Sequence, residues 1–285
     1  MSILRDSARR VTANQFSLGL FSWLGLFLFV VSWPISSAGQ DDRLRSLTPL
    51  QSAIEQQQLR LGSEDVEERR DALMRLASLR HPAASRIAVS ALRDVSPTVR
   101  VAAAAAVLWL PPHESANALI PLLNDKDEFV RQEVAYALGK TGSRVAVAPL
   151  VELLAREKLS GPRGAAVVSL GQLGDETAVV PLAHLLAPTI GLPSGSRKVR
   201  AEQNEFVIRA TARSLGQIRS RAGVPALIAA LENVDNAADV RREAAIALGL
   251  IGAPESVPAL RNILSSEDPY LSLAASESLR RIESQ

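Results

Sequence analysis

The chain of 285 residues repeats one helical pattern seven times, and this repetition limits its possible folds more than any other feature. Each copy is rich in Ala and Leu, and most copies open on a Val-Arg pair such as Val130-Arg131. We call the Arg of that pair, or the residue in its place, the anchor. The anchors are Arg69, Arg100, Arg131, Arg163, Ile208, Arg241 and Ser272, with spacings of 31, 31, 32, 45, 33 and 31 residues. A period of this length is typical of a solenoid, in which each unit packs against its neighbours.

Each unit contains two helix patterns. In the first, apolar residues fall three, seven and ten places after the anchor, as at Ala244, Leu248 and Ile251, which puts them on one stripe of a helix. Glycine recurs eight places after the anchor, which predicts a neighbouring helix too close for a Cβ, and eleven places after it, where it suits a left-handed helix end. The second pattern has proline near its start, as at Pro149, which predicts an irregular first turn.

These patterns predict an all-α fold, an α-solenoid in which about seven helix pairs stack into a right-handed superhelix over residues 64–285. Residues 39–63 are expected to form a tether and an N-terminal capping helix from Thr48 to Leu61. The anchor column is accompanied by an acidic column six places earlier. This pairing has two interpretations, a ligand-binding ladder or a ladder of ion pairs between repeats, and its recurrence in most units favours the second. The ladder residues are Arg100, Arg131, Arg163 and Arg241 with Asp94, Asp125 and Asp235.

The units resemble HEAT-type repeats, in particular the short bacterial class first noted in phycobilisome lyase subunits. The resemblance rests on Val130-Arg131-x-x-x-Ala135-x-Ala137-Leu138-Gly139-x-x-Gly142, followed by Pro149-Leu150, and it covers about residues 64–283. It implies that the second helices line a concave face. Since this class serves many unrelated roles, it implies no single activity. The outward residues on that face would be Arg86, Ser90, Arg93, Glu152, Arg156, His184 and Arg261.

Residues 1–38 have the layout of a secretory signal peptide. Three arginines lie in the first ten residues, an uncharged apolar stretch follows, and small residues precede a possible cut after Ala38. The alternative is an uncleaved membrane anchor over residues 16–35, because the stretch is long enough to span a bilayer. Both interpretations place the repeats outside the cytoplasm, in a periplasmic or extracellular location.

The basic balance of the whole chain comes from this N-terminal segment. The chain has 32 basic and 30 acidic residues, and residues 1–38 hold three of the former and one of the latter, which leaves 29 of each. We therefore expect no nucleic-acid partner. The chain has no cysteine, which excludes disulfides, thiolate chemistry and Cys-ligated zinc.

The single break in the period is an insertion at 188–203, between the fourth and fifth anchors. Its glycines and prolines predict a loop, and Arg197, Lys198 and Arg200 make it locally basic. Insertions in solenoids often emerge on the binding face, so these residues are candidate contacts. The alternative is a surface loop that is merely tolerated.

Catalytic motifs are scarce. The histidines, His81, His113 and His184, are far apart in sequence, and only His113-Glu114 forms a His-Glu pair. Deoxyhypusine hydroxylase, an enzyme with HEAT repeats, holds two irons through several such pairs, so the resemblance does not support a site of that kind here. We expect no catalytic, cofactor or metal site.

The sequence thus predicts an exported, non-enzymatic scaffold that binds another protein, as an extended peptide or a helix, through the concave face or the 188–203 loop. Two alternatives remain. The first is a subunit of a lyase-like or metal-dependent enzyme. The second is a structural envelope protein anchored in the membrane through residues 16–35.

Overall fold

A computed structural model describes residues 48–186 and 205–284, and the regular structure in these two ranges is helical. The helices are α1 (Pro49–Arg60), α2 (Val66–Ser78), α3 (Pro82–Ala88), α4 (Pro97–Ala106), α5 (Pro112–Leu119), α6 (Glu128–Thr141), α7 (Val147–Arg156), α8 (Ser160–Leu173), α9 (Val179–Leu186), α10 (Glu205–Ile218), α11 (Val224–Glu232), α12 (Ala238–Ile251), α13 (Val257–Ile263) and α14 (Pro269–Glu283).

The even-numbered helices carry the anchors and form one layer, in which each packs against the next from α2 to α14. We call these the A helices, and the odd-numbered ones the B helices. Each later B helix packs on the A helix that follows it, as α7 does on α8 and α13 on α14. The core lies between the layers, where leucines such as Leu138, Leu150 and Leu170 are fully buried. This arrangement confirms the predicted all-α solenoid of stacked repeats, in which seven A helices alternate with seven B helices in the described residues, from the B helix α1 to the A helix α14.

The glycines eleven places after the anchor end their helices as predicted. Gly142, Gly174 and Gly252 have φ values of 67°, 64° and 71°, a left-handed conformation that costs glycine little. The first and fifth units place arginine at this position, and Arg80 (φ 49°) and Arg219 (φ 60°) adopt the same conformation despite their Cβ atoms. The left-handed conformation at this turn is therefore set by the repeat and does not require glycine.

Short 3₁₀ turns accompany the B helices. Four of them stand just before α7, α9, α11 and α13, which confirms the irregular first turn predicted from the prolines. In the first two units the order is reversed. There α3 and α5 begin regularly at Pro82 and Pro112, and a 3₁₀ segment follows each of them.

Helix α1 begins with a capping box. The Thr48 side chain accepts a hydrogen bond from the Gln51 N–H, and the Gln51 side chain accepts one from the Thr48 N–H. The helix ends at Arg60, and its C-cap residue Leu61 packs with Ile54 against the core. A B helix without a preceding A helix thus covers the first unit.

Three sequence predictions fall outside the described residues. They are the signal peptide or anchor in residues 1–38, the tether before Thr48, and the 188–203 loop with Arg197, Lys198 and Arg200. Within residues 48–186 and 205–284, no helix combines the length and the hydropathy needed to cross a membrane.

Candidate protein-binding surface

The anchor arginines of the first three units tie each unit to the next. Arg100 donates from Nε and Nη2 to the two carboxylate oxygens of Asp125 in the next unit, at 2.7 Å each. Its Nη1 donates to the carbonyl oxygens of Asp94 and Val95, at 2.9 and 3.2 Å. Arg69 makes the same paired contact with Asp94, whereas Arg131 donates to Glu157 from Nε alone, and the other oxygen of Glu157 accepts hydrogen bonds from the Lys158 and Leu159 N–H groups. In these units the arginine and acidic columns therefore form ion pairs between repeats, and the hydrogen-bonding groups of their side chains are bound to other parts of the stack.

The carboxylates of this ladder have lowered pKa values. Burial acts to raise the pKa of Asp125, but it is outweighed by the hydrogen bonds from Arg100 and from the Asp127 N–H together with the nearby positive charge. The same balance lowers the pKa of Asp94 beside Arg69, and that of Glu157 beside Arg131. Each carboxylate is therefore held in its charged form by the ladder.

The ladder changes after the third unit. The register pairs Arg163 with Glu202, which lies outside the described residues, and within the described part of the chain Arg163 Nε has no hydrogen-bond partner. Arg241 donates from Nε to the carbonyl oxygen of Leu231 at 2.9 Å. Ile208 packs against the core, and the Ser272 hydroxyl donates to the Leu264 carbonyl oxygen.

A second set of ion pairs joins the last three units on the outer side of the A helices. Arg209 on α10 lies 3.3 Å from Asp239 on α12, and Arg213 pairs with Glu243 across the same two helices. The series of ion pairs continues with Arg242, whose guanidinium lies 3.1 Å from the carboxylate of Asp268. These pairs were not predicted from the sequence, although both arginines, at positions 209 and 242, directly follow an anchor residue.

Serine completes the contact between A helices. The Ser169 hydroxyl on α8 donates to the carbonyl oxygen of Ala135 on α6 at 2.7 Å, and Ser214 and Ser278 make the equivalent bond to the preceding A helix. A Cβ added to Gly139 would lie 2.7 Å from the Ser169 Cβ. The predicted close approach at the glycine column is therefore present, and serine six places after the anchor, a recurrence the sequence analysis passed over, is its counterpart.

The side chains expected on the B helices are exposed, and we call this set the B row: Arg86, Ser90, Arg93, Glu152, Arg156, His184 and Arg261. Some have partners within the chain. Arg86 lies 3.7 Å from Glu114, Arg261 lies 3.9 Å from Glu283, and Arg156 donates to the carbonyl oxygen of Leu123 at 2.9 Å. These contacts leave the side chains on the surface, in contrast to the buried ladder.

The three histidines occupy separate places. His81 caps α3, where its Nδ1 accepts a hydrogen bond from the Ala83 N–H, while His113 lies at the start of α5 and His184 on α9. Within residues 48–186 and 205–284, no three His, Asp or Glu side chains form a group that could hold a metal ion.

The chain is similar to proteins of several kinds. It is 45% identical over 71 residues to a deoxyhypusine hydroxylase of Gallus gallus, a match that covers 24% of this chain and 23% of that protein. Among solved structures it resembles human deoxyhypusine hydroxylase in complex with glycerol (21% identity, 86% of this chain and 88% of that one, TM-score 0.42). It also resembles the complex of CpcE and CpcF of phycocyanin lyase from Nostoc sp. PCC7120 (23% identity, 84% and 94%, TM-score 0.48).

The family models give the assignment. A model described as HEAT repeats matches residues 89–171 and 198–280, which together make up more than half of the chain, and one described as PBS lyase HEAT-like repeat matches residues 162–187. The repeat that the ladder, the glycine column and the left-handed helix ends define is thus the repeat that these models describe. The chain belongs to the HEAT-repeat family.

Proposed function

We propose that this protein is an exported, non-enzymatic scaffold that binds another protein through the B row, with the 188–203 loop as a second contact. The B row would line the concave side of the stack. At about 8–10 Å for each stacked helix pair, seven pairs give a surface about 60–70 Å long. A surface of that length suits an extended peptide or a helix of the partner.

The observation that carries this proposal is the division of polar side chains between the two layers. In the first three units the anchor arginines and their acids are largely shielded from water and bonded to each other, so they serve the stack. Arg93 in the 3₁₀ segment after α3, Glu152 on α7 and His184 on α9 are exposed, where a partner could reach them. HEAT repeats generally mediate protein interaction, and the mixed charge of the B row predicts binding of moderate salt sensitivity.

The test replaces Glu152, His184 and Arg261 by alanine together. Partners would be captured by crosslinking in the native cell envelope with tagged wild type, with this variant, and with a deletion of residues 189–201. We expect the variant to lose most of the captured partner at an unchanged melting temperature. A partner lost only on deletion would move recognition to the loop, and capture unaffected by either change would contradict the proposal.

Export is supported by the layout of residues 1–38 and is tested by the mass of the protein taken from cells. A chain that begins at Gly39 in the soluble envelope fraction would fit a cleaved signal. An intact chain in the membrane fraction would instead fit a structural envelope protein anchored through residues 16–35.

The similarity to deoxyhypusine hydroxylase over 71 residues favours an enzyme as the second candidate. Metal and absorbance analysis of the purified protein separates the two. A stoichiometric metal ion or a bound chromophore would support the lyase-like or metal-dependent alternative and would contradict the scaffold without enzymatic activity.

A further inference from the structure

The outer side of the first three A helices has an apolar cleft, which we call the A-face groove. It has a volume of 460 Å³, and its lining includes Met74 of α2, Val101, Ala102 and Ala105 of α4, and Phe129 of α6. Met74 and Phe129 flank it and are 49% and 63% exposed. Two large apolar side chains thus stand in solvent on either side of a floor of small ones.

Elsewhere the chain fills the corresponding space with its own side chains. Phe206, two places before its anchor, lies so close over Gly164 of the preceding A helix that its ring edge would overlap a Cβ there. Tyr270, at the same position in the last unit, lies beside Arg242 of the preceding A helix, 5.5 Å from the guanidinium. In α4 this position is Thr98, which is too small to cover the groove. Phe129 holds the same position in α6 and flanks the groove, so the ring that is missing is the one that α4 would supply at position 98.

Some of the charged side chains at the edge of the A-face groove have a partner of opposite charge within the chain, and others do not. Arg70 pairs with Glu67 at 2.6 Å, and Asp127 caps α6 by accepting hydrogen bonds from the Phe129 and Val130 N–H groups. Glu133 is exposed on α6 and lines the groove, and neither it nor Asp127 forms an ion pair with a described residue. The unmatched charge at the groove is therefore negative.

We propose that the A-face groove binds a basic amphipathic helix of a partner protein. The helix would insert a large apolar side chain between Met74 and Phe129 and place Lys or Arg beside Asp127 and Glu133. Neighbouring A helices lie about 9 Å apart, so the groove crosses about 18 Å, a length matched by about three helical turns. Apolar anchors on one helix face are the usual means by which a helix binds a groove, and the acidic rim selects its charge.

This inference rests on the proposed scaffold function but concerns a different face. The probe is a fluorescein-labelled 18-residue amphipathic peptide of Leu and Lys, and its twin has Glu in place of every Lys. Fluorescence anisotropy measures the affinity of each peptide for the protein. We expect the Leu/Lys peptide to bind at least about tenfold more tightly than the Leu/Glu twin, a difference that the charge reversal Glu133→Lys largely removes.

The filling variant is Ala105→Tyr, which gives α4 the residue that the third unit has at the same place, Tyr136. We expect this variant to bind the Leu/Lys peptide at least about tenfold more weakly than wild type, at an unchanged melting temperature. The matched control is Ala155→Tyr on α7, an equally exposed alanine on a B helix, and it should leave the affinity unchanged.

Three results would overturn the inference. The first is an Ala105→Tyr variant that binds the Leu/Lys peptide as tightly as wild type, and the second is equal affinity for the two peptides. The third is a dimer of the protein alone, seen in sedimentation and abolished by Ala105→Tyr, which would show that a second copy of this chain occupies the groove. The B-row variant should bind the Leu/Lys peptide like wild type. If the B-row variant loses the captured partner but the protein does not bind the peptide, only the groove proposal is contradicted. If the protein binds the peptide but the B-row variant keeps the captured partner, only the B-row proposal is contradicted.

Discussion

Arg100 and Asp125 join two successive units through two hydrogen bonds of 2.7 Å, and their side chains are 7% and 10% exposed. Arg100 also holds two carbonyl oxygens of the turn that enters its own helix. One side chain thus fixes a turn inside one unit and the contact with the next. We regard this pair as representative of the bonds that set the stacking of the first half of the chain.

Removal of Arg100 should therefore be costly. Arg100→Ala leaves Asp125 charged and without its main partner in a site mostly shielded from water, and we expect a loss of about 3 kcal/mol in the free energy of unfolding. Arg70→Ala is the control, because its ion pair with Glu67 is exposed, and it should cost less than about 1 kcal/mol. Urea denaturation measures both, and equal losses would contradict the role of the ladder.

The ladder should also make stability depend on pH. The folded pKa of Asp125 lies below its ordinary value of about 4, so its contribution is complete above that value and is lost as pH falls through the lowered pKa. Asp125→Asn should be less stable than wild type at pH 6, and the difference should shrink as the pH is lowered below about 4.

The measurement is urea denaturation of both proteins across this pH range, with Glu232→Gln, an exposed acid on α11, as the control. A difference between wild type and Asp125→Asn that stays constant with pH would show that the charge of Asp125 contributes nothing.

The glycine column predicts a contrast between two glycine-to-alanine changes. A Cβ on Gly216 would lie 2.8 Å from both the Cα and the Cβ of Ala247 on α12, and backbone cannot give way there unless the helix moves. We expect Gly216→Ala to destabilise by about 2 kcal/mol although alanine favours helix. A Cβ on Gly161 would meet only the flexible end of Gln132, so Gly161→Ala should be neutral or stabilising by about 0.5 kcal/mol. Thermal denaturation should separate the two variants, and a similar effect of both would argue against close packing of the A helices.

Arg219 offers a stabilising change. Its φ of 60° is costly for a residue with a Cβ, and the equivalent positions in three other units are glycine. Arg219→Gly should gain about 0.5–1 kcal/mol, since the relief of backbone strain exceeds the extra freedom of glycine in the unfolded chain. Arg80→Gly should gain less, because the Arg80 guanidinium lies 5.6 Å from the centre of the Trp109 ring. The melting temperatures of both variants test this order, and a fall for Arg219→Gly would contradict it.

The features that follow from the period of the chain could be predicted from sequence. The apolar stripe recurs along the chain, and the helix ends at Gly142 and Gly174 and the proximity implied by Gly139 depend on glycines that recur in three and four units. The capping helix at Thr48 could be predicted because its signals are local.

The remaining features depend on how neighbouring units differ. Arginine follows the anchor at 209 and 242, but the acidic partners Asp239 and Asp268 lie at different offsets from the next anchor, so no recurring column of acids points to these pairs. The A-face groove results from alanines at 102 and 105 next to larger residues on both sides, and its depth depends on the distance between helices. The sequence pattern indicates which face of a helix is apolar, but it does not show which gaps the neighbouring units leave open.

The most direct test of the central claim, that the arginine and acidic columns hold the stack while the B row binds a partner protein, is site-specific photocrosslinking in cells. A photoreactive residue would replace Glu152 or Arg261 on the B helices, and Ile246 on the outer side of α12 would serve as the control position. We predict that one partner protein is crosslinked from positions 152 and 261 and not from 246. Crosslinks that arise from 246 alone, or from none of the three positions, would contradict the account.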